Sequence, residues 1–489
     1  MKRLLIFIVA FNAEKTISSV LKRIPSNLIN NFSVEVLIID DCSKDATYEV
    51  ANLAVQSLSL PFPIITLKNP VNQGYGGNQK IGYHYAIKRS FDYVALIHGD
   101  GQYAPECLPE LMQSFDNGAD AVFGSRMMTR GQALQGGMPM YKYIGNKILT
   151  HFENWMLNSS LSEFHSGYRI YAVDALEKVP FDLNTNDFHF DTEIIVQFVA
   201  RGLTIVEQPI PTFYGDEVCH VNGMKYAFDV TATAAKYRVQ SLGIFYDRRF
   251  DLSPNDAQRY QLKLLGVSSH TMAIDSIRKG GKVFLIGDAV PRFPAVLQNY
   301  GFSVTVADGY QGKLQISPTS FMGKVEADPA LQILKNENFD SVLLLDEIEH
   351  LESPEIFVEN LRRLMYRSTS TKVIVTTPNI GFIANRLMLL FGEFNYAKHG
   401  ILDLSHKRLF TFKSLKRLFD QAGYQILSVK GIPAPFNLVI HNRFLASVMT
   451  GLNMALIKIC KGLFSYQIFM EVKPKPSLEL LLEQANHKK

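Results

Sequence analysis

The stretch from Phe91 to Pro105, FDYVALIHGDGQYAP, constrains the fold more than any other part of the chain. Tyr93 to Ile97 is a short apolar run typical of a buried strand, and it stops abruptly at Gly99-Asp100-Gly101-Gln102. Glycines on both sides of a carboxylate let backbone and ligand approach closely, and open α/β sheets bind ligands at the carboxyl ends of their strands. Because a Gly-Asp turn after a strand is also an ordinary turn, this stretch alone predicts an α/β sheet rather than an activity.

Length and composition limit the classes of protein that fit. A chain of 489 residues, 47% hydrophobic and 20% charged, is too long for one ordinary core, and its composition is typical of a globular protein with two or three domains. The net charge of +4 gives little support for nucleic-acid binding. The cysteines form no CxxC pair, which favours a reducing compartment and argues against a cysteine zinc site: they are Cys42, Cys107, Cys219 and Cys460.

Neither end of the chain predicts a membrane span. The N-terminal run MKRLLIFIVAFNAEKT begins like a signal peptide, but it is short and lacks a small-residue cleavage site, so it is interpreted as a first strand leading into a helix. The most apolar late region, Phe444 to Met470, contains Lys458 and Lys461. We therefore expect a cytoplasmic protein that does not cross a membrane but can lie on one as a peripheral protein.

A second strand end carries two adjacent acids. The strand-like stretch from Val34 to Ile39 leads directly into Asp40 and Asp41. Adjacent carboxylates repel each other unless a ligand or hydrogen-bond donors meet them, and the sequence leaves both explanations open.

A third strand, Ile64 to Leu67, is followed by the glycine-rich turn NQGYGGN at residues 72–78, which can hold an anion or simply form a tight bend. Strands and helices alternate at a spacing that predicts a parallel sheet, so all these strand ends would share one edge. The acidic pair could then contact the base and ribose of a nucleotide, while Asp100 holds a divalent metal on its diphosphate.

Seven motifs in the first 230 residues or so resemble, in their order along the chain, a family 2 glycosyltransferase of GT-A fold. The resemblance is greatest to the dolichyl-phosphate mannose and polyprenyl-phosphate glucose synthases. The motifs are IVAFNAEKTI, VLIIDDCSKDAT, NQGYGGNQKIGYHYAI, HGDGQY, FGSRMM, SEFHSGYRIY and DFHFDTEII.

This resemblance implies roles for individual residues. Asp40 and Asp41 fall at the pair that contacts the nucleotide, and Asp100 falls at the second acid of the metal motif, with Gln102 as the glutamine that follows it. Arg126 falls at the arginine near the phosphates, where it would act in catalysis and bind the nucleotide sugar. The implied metal ligands are Asp100 and Gln102, and the implied metal is Mg²⁺ or Mn²⁺.

Two positions depart from the family pattern. His98 stands where typical members have the first metal-binding acid, and Glu163 stands where an aspartate usually precedes the SGYR motif. A histidine at the end of a buried strand can ligate a metal as neutral imidazole or can be a hydrogen-bonded structural residue.

Acceptor-binding residues are predicted in the next part of the chain. The segment between Arg126 and Trp155 has basic residues interleaved with methionines and aromatics and no acid before Glu153, which suits a lipid-linked phosphate or, alternatively, a solvated basic helix face. We expect the acceptor to contact Arg130, Ser166 and Arg169.

Asp191 and Glu193 open a helix, where an acid could serve as general base for a hydroxyl acceptor. A phosphate acceptor is already ionised and needs no base. The sequence does not choose between the two acids, and Asp191 is taken as the candidate catalytic residue.

The second half shows another α/β pattern from about Gln258. FDSVLLLDEIEHLESPEIFVENLRRLM, VIVTTPN, GILDLSHKRLFTFKSLKRLFDQAGY and FSYQIFMEVKP resemble a class I S-adenosylmethionine-dependent methyltransferase. That resemblance implies that Asp308 holds the ribose of S-adenosylmethionine and that Gly287 belongs to the cofactor loop. The loop itself reads GDAVPRF, in which Pro291 and bulky side chains occupy the approach path, so a structural or substrate-presenting domain is the alternative. His350 and His406 are interpreted as structural residues rather than catalytic bases.

The sequence thus predicts an α/β protein with two Rossmann-like domains. Residues 1–240 form a GT-A glycosyltransferase domain, 241–257 a linker, 258–473 a class I methyltransferase-like domain and 474–489 a tail. The predicted function is inverting, metal-dependent transfer of a sugar from a UDP- or GDP-linked donor to a polyprenyl phosphate or related cell-surface glycan acceptor. The alternatives are transfer to a sugar hydroxyl, a bifunctional enzyme that also methylates glycan hydroxyls, an enzyme whose main activity is methyl transfer, and a non-catalytic partner-binding scaffold.

Overall fold

The computed structural model shows a chain that divides into two compact units. The first contains Met1–Val239 and Asp247–Pro254, and the second contains Gln240–Tyr246 and Asn255–Lys489. The residues that the structure describes are 1–58, 60–213, 222–241, 246–252, 262–264, 266–287, 292–307, 331–365, 368–397, 400–438, 440, 442–476 and 480–481.

Seven strands form the sheet of the first unit. They are β1 Lys2–Ala10, β2 Phe32–Asp40, β3 Ile64–Lys68, β4 Tyr93–His98, β5 Ala121–Ser125, β6 Arg169–Ala172 and β7 Ile205–Pro209. Their order is β3-β2-β1-β4-β6-β5-β7. β1 pairs in parallel with β2 and β4, whereas β6 is antiparallel to both of its neighbours. The carboxyl ends of β1, β2 and β4 therefore lie at one edge, as the sequence predicts.

Helices cover both faces of this sheet, which is why its central strands are continuous apolar runs rather than alternating ones. The side chains of Leu5, Ile38 and Leu96 are fully buried. The helices are α1 Ile17–Lys22, α2 Thr47–Ser57, α3 Tyr75–Lys88, α4 Leu108–Met112, α5 Gln132–Gln135, α6 Met140–Leu157, α7 Val173–Leu176, α8 Phe190–Arg201 and α9 Gly223–Gln240.

The first helix is shorter than the sequence predicts. Its apolar spacing predicts a start at Ala13, but α1 begins at Ile17. The intervening residues serve the sheet edge instead: Ala13 donates its backbone N–H to Thr47 Oγ1 at 2.7 Å, and Thr16 donates its hydroxyl to the carbonyl of Gly99 at 2.7 Å. The first bond joins this segment to the start of α2, and the second joins it to the turn that carries Asp100.

The second unit contains a six-stranded sheet. Its strands are β8 Lys282–Ile286, β9 Ser303–Val306, β10 Ser341–Leu345, β11 Lys372–Pro378, β12 Tyr424–Ile432 and β13 Gln467–Pro474. They lie in the order β12-β13-β11-β10-β8-β9, with β8 to β11 parallel and β13 antiparallel to β11 and β12. The helices are α10 Ser269–Ser276, α11 Phe293–Asn299, α12 Ile333–Asn336, α13 Pro354–Leu364, α14 Ile383–Leu390, α15 Phe412–Gln421, α16 Arg443–Ile459 and α17 Lys461–Phe464.

Helix α15 shows how local sequence sets these elements. Thr411 accepts a hydrogen bond from the backbone of Ser414 and the Ser414 side chain bonds back, which forms a capping box. Leu415, Leu418 and Phe419 recur at helical spacing and are buried against the sheet.

The mixed α/β class with two largely parallel sheets is confirmed. The methyltransferase assignment of the second unit stays a prediction: Asp308 lies outside the described residues, and Gly287 directly follows β8 with a φ of 110°. Glycine is favoured there because this φ strains residues that carry a Cβ, and a Cβ would also meet the side chain of Glu347. Among the described helices, none has the length and apolarity needed to cross a bilayer.

Candidate active site

The acidic pair at the end of β2 is buried and met by protein donors. Asp41 Oδ1 accepts hydrogen bonds from Asn69 Nδ2 at 2.7 Å and from the backbone N of Gln73 at 2.8 Å. Asp40 Oδ1 accepts from the backbone N of Ser43 at 3.2 Å and from its hydroxyl, and Oδ2 lies 3.7 Å from Lys68 Nζ. Donors in the fold therefore relieve the repulsion between the two carboxylates.

Asp100 lies beyond the carboxyl end of β4 and is exposed. Its Oδ1 accepts from the backbone N of Gln102 at 3.0 Å. Gly101 adopts a φ of +78°, which allows the tight turn that holds this carboxylate at the sheet edge.

Tyr75, at the start of α3, connects this edge to helix α8. Its hydroxyl donates to Asp191 Oδ2 at 2.9 Å and lies 3.2 Å from His98 Nε2. Because the single hydroxyl proton goes to Asp191, the oxygen accepts from Nε2–H of His98. In this arrangement that ring nitrogen carries a proton, which favours the structural interpretation of His98. The ring also packs against Gly167, where a Cβ would lie 2.5 Å from it.

Three side chains contact the carboxylate of Asp191. Besides Tyr75, Gln79 Nε2 donates to its Oδ1 at 3.2 Å, and Arg169 Nη2 lies 3.7 Å from Oδ2. Arg169 is 1% exposed and also donates to the backbone carbonyls of Ser166, Phe164 and Asp191. The acceptor role predicted for Arg169 therefore depends on the resemblance alone, while its contacts are those of a positioning residue.

Arg126 is buried and paired with Glu163. Its backbone N donates to Glu163 Oε2 at 2.7 Å, and its guanidinium binds Oε1 through Nε at 3.1 Å and also through Nη2. Burial alone would raise the pKa of Glu163, but Arg126 and the amide of Asn146 outweigh it and hold that pKa below its ordinary value. The phosphate role of Arg126 stays a prediction, since its charge is neutralised here.

A second buried pair includes His165, which directly precedes the SGYR motif at residues 166–169. Glu153 Oε2 is 3.3 Å from His165 Nε2, and His165 Nδ1 lies 2.9 Å from the hydroxyl of Tyr226. Burial raises the pKa of Glu153 to about 8 and lowers the pKa of His165 to about 4. Both groups are thus neutral near pH 7, and the pair is not an ion pair despite the short distance.

The remaining predicted residues differ in exposure. Ser166 is buried, and its Oγ accepts from the backbone N of Tyr168 at 3.4 Å. Gln102 is half-buried and Arg130 is exposed in the turn after β5. Of the predicted set, Asp100 and Arg130 are thus the residues most open to a substrate.

The oxygen atoms available at Asp100 fit a divalent metal that takes most of its ligands from phosphate and water. Among the described residues only the N–H of Gln102 donates to this carboxylate, which leaves Oδ2 for a ligand. Mg²⁺ is commonly held by one or two carboxylates plus substrate phosphates, and Mn²⁺ accepts the same oxygen ligands. The side-chain carbonyl of Gln102 is the second oxygen within the same turn.

Comparison with known proteins identifies this part of the chain. Residues 5–179 match the sequence model of the family described as Glycosyl transferase family 2. This segment is a family 2 glycosyltransferase domain. The predicted enzyme class, a glycosyltransferase, is thereby confirmed.

Relatives of the glycosyltransferase domain include a named synthase and a named transferase. Polyprenol monophosphomannose synthase of Mycolicibacterium smegmatis is 24% identical over 210 residues, which are 43% of this chain and 77% of that protein. UDP-N-acetylglucosamine–dolichyl-phosphate N-acetylglucosaminyltransferase of Methanococcus voltae is 27% identical over 223 residues, 44% of this chain and 86% of that protein. A solved structure of Mycobacterium tuberculosis glucosyl-3-phosphoglycerate synthase with Mn²⁺ and UDP has a TM-score of 0.35 at 16% identity, covering 47% of this chain and 78% of that one.

Sequence reasoning missed several residues that contact or adjoin the predicted site residues. Tyr75 and Gln79 are polar positions at the start of α3 that point toward α8, and Glu153 and His165 form a buried pair. Tyr103 accepts the backbone N–H of Gly167 at 2.7 Å. A signal was present only for Tyr75, which lies inside the glycine-rich turn.

Proposed function

We propose that the first unit transfers a sugar from a UDP- or GDP-linked donor to a polyprenyl phosphate, with inversion at the anomeric carbon. The observation that carries the proposal is the exposed carboxylate of Asp100 at the same sheet edge as the buried pair Asp40 and Asp41, within a family 2 domain. Such an edge is where open α/β sheets bind nucleotides.

In this proposal each acidic group has a separate task. Asp41, oriented by Asn69 and Gln73, accepts hydrogen bonds from the nucleotide, and Asp40 supports the same turn. Asp100 and Gln102 would hold Mg²⁺ or Mn²⁺. When bound, the metal would neutralise charge on the departing diphosphate. The acceptor then attacks the anomeric carbon from the face opposite the diphosphate.

The environment of Asp191 favours a phosphate acceptor over a hydroxyl acceptor. A general base needs a carboxylate oxygen within reach of the proton it removes. Asp191 is 6% exposed, its Oδ1 accepts from Gln79 and its Oδ2 accepts from Tyr75. We therefore assign Asp191 as a positioning residue. A phosphate acceptor, which is already ionised, removes the need for a base.

The names of the two relatives support the same acceptor class. One is named for polyprenol monophosphomannose and the other for UDP-N-acetylglucosamine and dolichyl phosphate. Each name couples a sugar to a polyprenyl-type lipid.

An exposed apolar stripe on α6 supports peripheral membrane contact. Tyr141, Ile144, Ile148 and Trp155 are all exposed and recur at helical spacing on one face. Lys147 lies on the same helix, with its Nζ 4.4 Å from the ring centre of Tyr143. Apolar residues flanked by lysines are typical of a helix that lies in a bilayer interface.

We place the reaction at the cytoplasmic face of the membrane, in cell-surface glycan synthesis. Cys42, Cys107 and Cys460 are unpaired, which agrees with a reducing compartment. The sequence raises methyl transfer by the second unit as an alternative function. None of the described residues provides further support for it. S-adenosylmethionine is therefore not part of the proposal.

The test is a transfer assay with labelled UDP- and GDP-sugars, Mn²⁺, and either a short-chain polyprenyl phosphate or a free sugar as acceptor. We expect lipid-phosphate-dependent product from the wild type and from Asp116→Asn, an exposed acid in the same unit, and a loss of at least about 100-fold in Asp100→Asn. Product formed only on the free sugar would overturn the acceptor, and full activity of Asp100→Asn would overturn the site.

A further inference from the structure

Three side chains with metal-binding groups converge in the second unit. One ligand atom each from Glu349, His350 and His406 lies within 4.8 Å of the other two. Glu349 and His350 belong to the short 3₁₀ helix Ile348–His350 that follows β10, and His406 lies in the segment before α15. The cluster thus forms from two segments more than 50 residues apart in sequence.

The backbone orients both histidines in the same way. His350 Nδ1 is 3.2 Å from the carbonyl of Ser405, and His406 Nδ1 is 2.9 Å from the carbonyl of Ile401. A carbonyl only accepts, so in both neutral rings Nδ1 carries the proton and Nε2 carries the lone pair. Metal-ligating histidines characteristically donate their other ring N–H to a carbonyl or carboxylate in this way.

Glu349 supplies an independent observation. Its side chain is 1% exposed, and neither carboxylate oxygen has a hydrogen-bond partner among the described residues. The hydroxyl of Thr377 lies nearby, but it also lacks a hydrogen bond of ordinary geometry. A buried carboxylate without donors is costly, and a cation beside it would remove that cost.

Backbone hydrogen bonds join the two segments that carry the cluster. The backbone N–H groups of Lys407 and Arg408 donate to the carbonyl of Glu349 at 2.8 and 3.0 Å. The two imidazole rings are 5.0 Å apart between centroids. The geometry of the three groups is therefore set by the backbone rather than by loose side chains.

The carboxylate of the neighbouring Asp346 already has hydrogen-bond and ion-pair partners. Its Oδ1 accepts from Thr376 Oγ1 at 2.7 Å and from Gln467 Nε2 at 3.0 Å, and its Oδ2 is 3.4 Å from Lys263 Nζ. The ligand set is therefore two histidines and one glutamate. It lies beyond the carboxyl end of β10, at the sheet edge where α/β proteins bind ligands.

We propose that Glu349, His350 and His406 bind a divalent transition metal ion of the Zn²⁺ or Mn²⁺ class. Two imidazoles and one carboxylate leave open coordination positions for water or for an oxygen-bearing ligand. The site lies in the second unit and does not depend on the proposed sugar transfer.

The other cluster of potential ligands in the described chain serves as a control. Asp187, His189 and Asp229 also lie within 4.8 Å of one another, but Lys225 Nζ is 2.7 Å from Asp187 and already supplies a positive charge there. A variant at Asp229 should therefore leave metal binding unchanged.

The experiment uses the full chain carrying Asp100→Asn, so that metal at the first unit does not contribute. After treatment with EDTA and dialysis, the protein is titrated with Co²⁺ while visible absorption is recorded, and Zn²⁺ is added to displace the Co²⁺. We expect one equivalent of Co²⁺ to bind, with the same result in Asp229→Asn. Binding should weaken at least about 100-fold in Glu349→Gln and in His406→Ala. Unchanged stoichiometry and affinity in these two variants would overturn the proposal.

Circular dichroism in EDTA checks that the variants fold. If His406→Ala does not fold, pulsed electron paramagnetic resonance of the Cu²⁺-loaded parent protein tests whether imidazole nitrogens bind the metal. Nitrogen modulation from two imidazoles supports the site, and a spectrum without imidazole nitrogen contradicts it.

Discussion

The hydroxyl of Tyr75 donates to Oδ2 of Asp191 across 2.9 Å and so ties the start of α3 to the start of α8. The same oxygen lies 3.2 Å from Nε2 of His98, at the end of the strand that carries Asp100. One phenol thus positions two elements that border the candidate nucleotide site.

Replacing Tyr75 with phenylalanine tests this role. The change removes a hydrogen bond to a buried carboxylate and leaves the ring in place, so we expect turnover to fall about tenfold, equivalent to about 1.4 kcal/mol. Steady-state kinetics with saturating donor measures it. Tyr300→Phe, at an exposed position in the second unit, is the control and should keep full activity. Equal rates for both variants would contradict the positioning role.

The buried pair of Arg126 and Glu163 should be sensitive to loss of one charge. Glu163→Gln removes the negative charge that pairs with the buried guanidinium of Arg126, and we expect the free energy of unfolding to fall by about 3 kcal/mol. Urea denaturation followed by tryptophan fluorescence measures the change. Asp174→Asn breaks the exposed pair with Lys178 and should cost less than about 1 kcal/mol. A similar small loss in both variants would show that the Arg126 charge is compensated by other groups.

Glu153 predicts a pH dependence of stability. Burial raises the pKa of Glu153 from an ordinary value of 4.5 to about 8, so between these values the folded state holds a proton that the unfolded state releases. Its contribution is complete below about pH 4.5 and is lost as the pH rises toward 8, with a slope of up to about 1.4 kcal/mol per pH unit.

The neighbouring His165 makes stability depend on pH in the opposite direction and over a lower pH range. Burial lowers the pKa of His165 to about 4, so its contribution is lost as the pH falls from 6.5 toward that value. The variant Glu153→Gln should therefore flatten the dependence between about pH 6.5 and pH 8 in urea titrations. The exposed Glu177→Gln is the control, and an unchanged slope in Glu153→Gln would refute the assignment.

The apolar stripe on α6 predicts membrane binding. We expect Ile148→Asp to reduce co-sedimentation with vesicles containing anionic lipid by at least about fivefold, because it places a charge in the apolar face. Leu53→Asp, at an exposed position on α2, should leave binding unchanged. Equal binding of both variants would place the membrane contact elsewhere or exclude it.

The strands and the acidic sheet edge were predictable because their signals are local. An apolar run such as Tyr93–His98 stops at a polar turn, and parallel connections bring Asp40, Asp41 and Asp100 to one edge. The environment of Arg126 was not predictable, because its partner Glu163 is 37 residues away and approaches through tertiary packing.

Arg169 is a second residue whose surroundings could not be predicted from the sequence. A basic residue beside an acceptor motif suggests phosphate binding, yet Arg169 begins β6 and is almost fully buried. Its guanidinium donates to the backbone carbonyls of Ser166, Phe164 and Asp191. Spacing along the chain predicts which residues share an edge, but burial and pairing depend on elements distant in sequence.

The most direct test of the central claim is isothermal titration of the full chain with UDP and with GDP, each with and without Mn²⁺. The wild type and Asp116→Asn should bind one of these nucleotides at least about tenfold more tightly when Mn²⁺ is present, and Asp100→Asn should lose that gain. A gain of the same size in Asp100→Asn, or no binding of either nucleotide by the wild type, would contradict the assignment of Asp100 and of this sheet edge as the donor site.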